Sequence, residues 1–243
     1  MRIIKSALFY IGITILISCN NYTEQPCDNH FIKGNDYALE CDYDNAKKEF
    51  ELAIQQDKKN ANAFYGLAQT YFLIGDYDKA LYNYNKAIEL NPQFTFAYYS
   101  KALTESLMGK NTESAADINK AIELKPDLLI AILQRAVFKH NQGDLQGAIN
   151  DFTKVIEIKN DYANGYYYRG IFYAENKEFQ KAINDLSKAI ELKTDRVNAY
   201  IYRGIYQYTL GQKENACNDF RKALNLGDTT AQSYLDKYCE QTN

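Results

Sequence analysis

The chain has 243 residues, of which 46% are hydrophobic, 24% charged and 14% aromatic, a globular composition with too few Gly and Pro for a disordered polymer. A formal charge of −3 leaves no electrostatic footprint for nucleic acid, and that partner class is excluded. Three prolines and no tryptophan suit a helical protein, and the 22 tyrosines call for a structural or binding role. The first element in the chain is a short basic stretch, Arg2 and Lys5, followed by an apolar run from Ala7 to Ile17. That run is shorter than the about 20 apolar residues of a permanent membrane span and fits a secretory signal over residues 1–18.

The run ends Leu16-Ile17-Ser18-Cys19, which resembles the lipobox of bacterial lipoproteins: an aliphatic residue at −3, a small one at −1, then the cysteine that is lipid-modified. The resemblance implies acyl chains on Cys19, and two or more chains hold a protein on a membrane where one binds only marginally. Asn20 stands where Asp would retain an enterobacterial lipoprotein in the inner membrane. By the same resemblance the expected address is the outer membrane of a Gram-negative cell, on its periplasmic face or its surface. Residues 19–26 then form the lipidated cysteine and a polar linker, whose stretch from Asn20 to Pro26 reaches about 25 Å at full extension.

From Cys27 onward the sequence repeats every 34 residues without insertion: 27–60, 61–94, 95–128, 129–162, 163–196 and 197–230. Position 8 is always small (Gly34, Ala68, Ala102, Ala136, Gly170, Gly204), as is position 20 (Ala46, Ala80, Ser114, Ala148, Ala182, Ala216). Small residues there let two helices approach closely, while position 24 supplies a large knob (Phe50, Tyr84, Ile118, Phe152, Leu186, Phe220). Gly75, Gly109, Gly143 and Gly211 share position 15, where a glycine ends a helix. Each repeat therefore predicts helix A over positions 2–14, a tight turn, and helix B over about 18–30. The second block, with Phe64, Leu67, Ala68, Tyr71, Ala80, Tyr84, Ala87 and Pro92, closely resembles the tetratricopeptide repeat (TPR). The resemblance implies an all-α, right-handed TPR superhelix, an α-solenoid of six helix-turn-helix repeats. Ala231, Tyr234, Leu235 and Tyr238 then predict a capping helix within 231–243, because a solenoid's last apolar face needs a lid.

Two positions vary together. Position 7 reads Lys33, Leu67, Lys101, Arg135, Arg169, Arg203, and position 23 reads Glu49, Asn83, Asp117, Asp151, Asp185, Asp219. Cation meets acid except where Leu67 meets the neutral Asn83, so ion pairs are expected within each repeat, Arg135 with Asp151, Arg169 with Asp185 and Arg203 with Asp219. Such pairs set geometry more than they add stability.

Export makes disulfides possible. Cys27 and Cys41 bracket helix A of the first repeat, about 20 Å apart, and are not expected to pair. Cys217 on helix B of repeat six and Cys239 late in the capping helix are expected to face each other and staple the cap. His30 and His140 lie three repeats apart, and no phosphate loop, paired-carboxylate or nucleophile motif is present. The expectation is a non-enzyme with no metal, no cofactor and no small-molecule substrate.

In TPR solenoids, helix A lines the concave face through positions 2, 5, 6, 9, 12 and 13. The resemblance places Phe31 and Asn35 there in repeat one, Tyr65, Gln69 and Phe72 in repeat two, and Phe96 and Tyr99 in repeat three. Gln134 and His140 follow in repeat four, Asn164, Tyr167 and Tyr168 in repeat five, and Asn198, Tyr202 and Tyr208 in repeat six. An aromatic groove with interspersed amides suits an extended or helical peptide. The carboxylate clamp of chaperone-tail-binding TPRs is absent: only Asn35 matches it, and Phe31, Gly66, Phe96 and Ser100 occupy the other places. The expected function is a membrane-anchored scaffold that binds a protein or peptide partner. An assembly factor for an outer-membrane protein or a pilus secretin is one alternative, and an accessory protein for surface glycan or nutrient capture is another.

Overall fold

A computed structural model describes residues 29–193 and 195–239. The expected signal segment, the expected lipidation site Cys19, the expected linker and Cys27 lie outside the described residues. Those described fold into thirteen α-helices and no strand. They belong to two compact units, one up to Pro126 and one from Asp127.

In the first unit α1 (Asn29–Leu39) packs on α2 (Tyr43–Gln56), α3 (Ala61–Ile74) on α4 (Tyr77–Leu90), and α5 (Thr95–Leu107) on α6 (Asn111–Leu124). The second unit pairs α7 (Leu129–Asn141) with α8 (Leu145–Ile158), α9 (Ala163–Glu175) with α10 (Phe179–Leu192), and α11 (Val197–Thr209) with α12 (Lys213–Asn225). A last helix, α13 (Ala231–Tyr238), lies on α12. Every hairpin is one 34-residue block, with the A helix first and the B helix second.

All six hairpins turn in the same way. The residue at position 15 is left-handed not only at Gly75, Gly109, Gly143 and Gly211 but also at Cys41 (φ 63°) and Lys177 (φ 62°). The next N–H then reaches back to the carbonyl at position 11, as in Asp76 N–H to Tyr71 O (2.9 Å) and Glu178 N–H to Tyr173 O (2.8 Å), the closing bond of a Schellman turn. Three of the B helices are capped at once by the following aspartate. Asp42, Asp76 and Asp144 accept from the backbone N–H three residues on, at 3.2, 3.3 and 2.9 Å.

The two helices of a hairpin meet over the small residues. Ala46, Ala80, Ser114, Ala148, Ala182 and Ala216 are fully buried, and the knobs from Phe50 to Phe220 are buried behind them. At Gly34 a Cβ would stand 2.7 Å from the Phe50 ring, and at Gly204 one would stand 2.6 Å from the Phe220 ring. Phe50 is also wedged against Gly66 of the following repeat, which gives that glycine a packing role. Burying a knob of this size contributes roughly 1.5–3 kcal/mol.

The lid on repeat six is held twice. Tyr234 stacks on Phe220 with centroids 5.3 Å apart, and a disulfide joins Cys217 to Cys239. Closing a loop of that length stabilises a fold by about 3 kcal/mol in the chain-entropy account. Cys41 is exposed and free.

The strained turns generate a prediction. Lys177 pays the left-handed cost that glycine avoids, so Lys177→Gly is expected to stabilise the protein by about 0.5–1 kcal/mol. Gly75→Ala is expected to destabilise it by about 1 kcal/mol although nothing lies within 4 Å of the added Cβ. Thermal unfolding of the two variants beside wild type checks both signs.

Candidate partner-binding face

The A helices present successive positions 100° apart, so neighbouring residues of the expected groove have different surroundings. Position 5 points inward. Tyr65 (5% exposed), Tyr99 (4%) and Tyr167 (8%) are core residues, and the expectation of a ligand-facing surface fails for all three. Tyr65 lies 4.8 Å from the Phe94 ring and 5.8 Å from Tyr84, its hydroxyl sharing a hydrogen bond with Ser100 Oγ at 3.2 Å and accepting one from Gln69 Nε2. Burial raises its phenol well above the usual range, and raises Tyr99 and Tyr167 to about 12, so all three stay neutral donors at ordinary pH. Asn35 is buried as well and also leaves the expected surface.

Position 6 points outward in repeats five and six, although Gly66 and Ser100 at the same position are buried. Tyr168 is 40% exposed and Tyr202 38%, and each stands on a packed aromatic base in the second unit. Tyr168 rests on Phe152 (5.7 Å) and meets Tyr167 edge-on (5.1 Å), while Tyr202 stacks on Tyr206 (6.2 Å). Asn164 and Asn198 occupy position 2 of the same two helices. Asn164 Oδ1 accepts a hydrogen bond from Arg196, whose guanidinium sits 4.3 Å over the Tyr167 ring. Tyr206 and Arg196 were not expected in this face. Arg196 carries a sequence signal, since the corresponding places hold Asn60, Phe94, Leu128 and Tyr162.

The other expected residues are scattered or engaged. His140 stacks on Phe172 (4.5 Å) and is hydrogen-bonded through Nε2 to Glu175 Oε2 (2.8 Å). Tyr208 is exposed but leans on Tyr238 of the capping helix (4.4 Å). In the first unit Phe31 lies against Phe50 (5.9 Å), Phe72 against Tyr77 (5.8 Å), and Lys125 Nζ lies 6.0 Å from the Phe96 ring. Gln134 is half-buried on α7. Among the described residues no group of three or more His, Cys, Asp or Glu side chains is placed to hold a metal.

The covarying positions meet inside each hairpin of the second unit. Arg135 donates to Asp151 from Nε (2.9 Å) and Nη2 (2.6 Å), Arg169 to Asp185 (2.7 and 2.8 Å), and Arg203 to Asp219 (2.7 and 2.7 Å). All three aspartates are buried. Nη1 of Arg169 also donates to Thr153 Oγ1 (3.2 Å), and Nη1 of Arg203 to Ser187 Oγ (2.9 Å), both on the B helix of the preceding repeat. In the first unit Lys101 Nζ lies 2.7 Å from Asp117 Oδ2. Repeat one departs from the pattern: Glu49 Oε2 lies 2.6 Å from His30 Nδ1, whereas Lys33 was the expected partner. Asn83, opposite Leu67, turns to its own helix and donates to Lys79 O (2.8 Å).

Family profiles for the tetratricopeptide repeat match residues 61–94, 97–128, 131–162 and 163–196, together more than half of the chain. No curated protein sequence matches it. Among solved structures, YrrB, described as a TPR protein with an unusual peptide-binding site, is 17% identical with a TM-score of 0.68, covering 77% of this chain and 97% of its own. The C-terminal part of a TPR repeat-containing protein from Cytophaga hutchinsonii is 18% identical with a TM-score of 0.71, covering 84% and 81%. MamA is 22% identical with a TM-score of 0.63, covering 75% and 97%. At these identities the likeness is one of fold.

The buried pairs predict a non-additive double mutant. Arg203→Met leaves Asp219 charged and buried and is expected to cost about 3–5 kcal/mol, whereas Asp151 would keep Lys139 at 3.0 Å if Arg135 were removed. Adding Asp219→Leu is expected to recover most of that loss. Denaturant unfolding of the two single variants and the double variant measures the coupling.

Proposed function

Because the chain belongs to the tetratricopeptide repeat family, whose members are generally non-enzymatic scaffolds, we propose that it binds a protein or peptide partner through the outward face of its A helices. The observation that carries this is the pair Tyr168 and Tyr202, exposed at the same repeat position on α9 and α11 and flanked by Asn164 and Asn198. Rigid phenol rings on a packed base offer contact area at little entropic cost, and the amides can bond to a peptide backbone. Arg169 and Arg203 already serve buried aspartates, and Arg196 is engaged by Asn164 and the Tyr167 ring.

The lipobox-like ending at Cys19 supports a second element of the proposal. Acyl chains on Cys19 hold the repeats at a membrane, and Asn20 favours the outer membrane. The short polar linker keeps the first unit near the lipid surface.

Two experiments test these elements separately. Tyr168→Ala with Tyr202→Ala is expected to leave stability within about 1 kcal/mol of wild type while lowering photocrosslinked partner yield at least about tenfold. Tyr65→Ala, by contrast, is expected to lose about 3 kcal/mol or more of stability. Unchanged capture by the double variant contradicts the groove. In cells, Cys19→Ser is expected to move the protein from the membrane to the soluble fraction; retention in the membrane contradicts the anchor.

A further inference from the structure

At position 11 of the repeat, three A helices carry tyrosine (Tyr37, Tyr71, Tyr173), but α5 carries Glu105. Its side chain is buried, with the residue 4% exposed. A second acid, Asp117 of α6, lies beside it, and one cation serves both. Lys101 Nζ is 3.3 Å from Glu105 Oε1 and 2.7 Å from Asp117 Oδ2. The lysine meets Asp117 Oδ2 outside hydrogen-bond geometry, and Glu105 Oε2 is buried without a hydrogen-bond partner.

Within the first unit, the elements packed on α5 bring no second cation to this place. The sequence of α3 contains no charged residue, only Tyr65 and Tyr71 as titratable groups. On α4, Lys86 is held by Glu89 (2.7 Å), Lys79 is held by Asp76 (2.8 Å), and Asp78 is exposed. On α6, Lys120 is held by Glu123 (2.8 Å) and Glu113 is exposed, as is Lys110 in the turn. Two carboxylates and one ammonium thus leave an uncompensated negative charge in a buried place, which a low-dielectric interior penalises. A single proton removes it and gives one carboxyl a donor for the other.

We propose that Glu105, Asp117 and Lys101 form a proton-binding clasp, which holds one shared proton while α5 and α6 are closed on each other and releases it when they part. Burial first, and then the like charge of Asp117, push Glu105 up to about 7, against the opposing pull of Lys101. In an opened helix pair the same carboxyl returns to its ordinary 4.5. The stabilisation from the clasp is therefore complete below about 4.5 and is lost as pH rises through about 7. Repeat three is thus the place where a rise in pH from about 5 to 7 loosens a hairpin. Because α5 also carries Phe96, the shift reaches the A-helix face, whatever that face binds.

Amide hydrogen exchange of α5 and α6 in the full chain, corrected for the intrinsic pH dependence of exchange, reads this opening. The wild-type opening constant is expected to rise about tenfold per pH unit between about pH 5 and 7 and to level off above. Glu105→Gln, which keeps the shape of the neutral acid, is expected to be flat over that range, and so is Glu105→Tyr, which restores the residue of repeats one, two and five. Equal slopes in wild type and either folded variant overturn the clasp. A carbon-13 titration of the Glu105 carboxyl in the folded wild type is expected to show a midpoint near 7; a midpoint at the ordinary 4.5 overturns the proposal even if neither variant folds.

Discussion

Two helices can lie close together only where one of them offers almost no side chain, and much of this structure follows from that constraint. Positions 8 and 20 are glycine, alanine or serine in all six hairpins, and the ring or branched chain at position 24 fills the space they leave. At Gly34 and Gly204 the aromatic neighbour already occupies the place of a Cβ. The close approach in turn demands an abrupt reversal, which the left-handed residue at position 15 supplies. Its presence at Cys41 and Lys177 shows that the turn is dictated by the hairpin rather than by glycine's preference.

The polar layer between the helices follows the same geometry. A bidentate arginine and aspartate fit across the hairpin at positions 7 and 23 because the backbones are held at a fixed spacing, and each satisfies the other's buried donors and acceptors. The third bonds, from Arg169 to Thr153 and from Arg203 to Ser187, tie one repeat to the one before it. Repeat three has a lysine in place of arginine and an extra acid in place of tyrosine, so its charges do not balance without a proton. A layer that gives register elsewhere in the chain there acquires a dependence on pH.

A repeated pattern of packing leaves function to the positions that packing does not use. Tyrosine at position 5 is consumed by the core, as Tyr65, Tyr99 and Tyr167 show, whereas tyrosine one residue later stands clear of it, as Tyr168 and Tyr202 show. The second unit therefore holds an exposed aromatic pair supported from beneath by Phe152 and Tyr206. Exposure on a rigid base distinguishes a contact surface from a tyrosine that merely completes a hydrophobic cluster.

The sequence by itself determined the helix pairs, their 34-residue period, the close-packed positions and the partners of Arg135, Arg169 and Arg203. The first three are written six times over and the arginine–aspartate pairing three times, and repetition separates a physical requirement from chance. It also brought Cys217 and Cys239 to facing helices, since two antiparallel helices of known length leave few choices. Tertiary structure alone decided which of two adjacent tyrosines is buried, because one residue is a rotation of 100° and depends on what the neighbouring repeat places against it. It likewise decided that Glu49 meets His30, that Arg196 covers Tyr167, and that Glu105 shares its lysine with Asp117. Each of those contacts rests on a residue that departs from the repeat, and a departure has no second copy in the sequence to explain it.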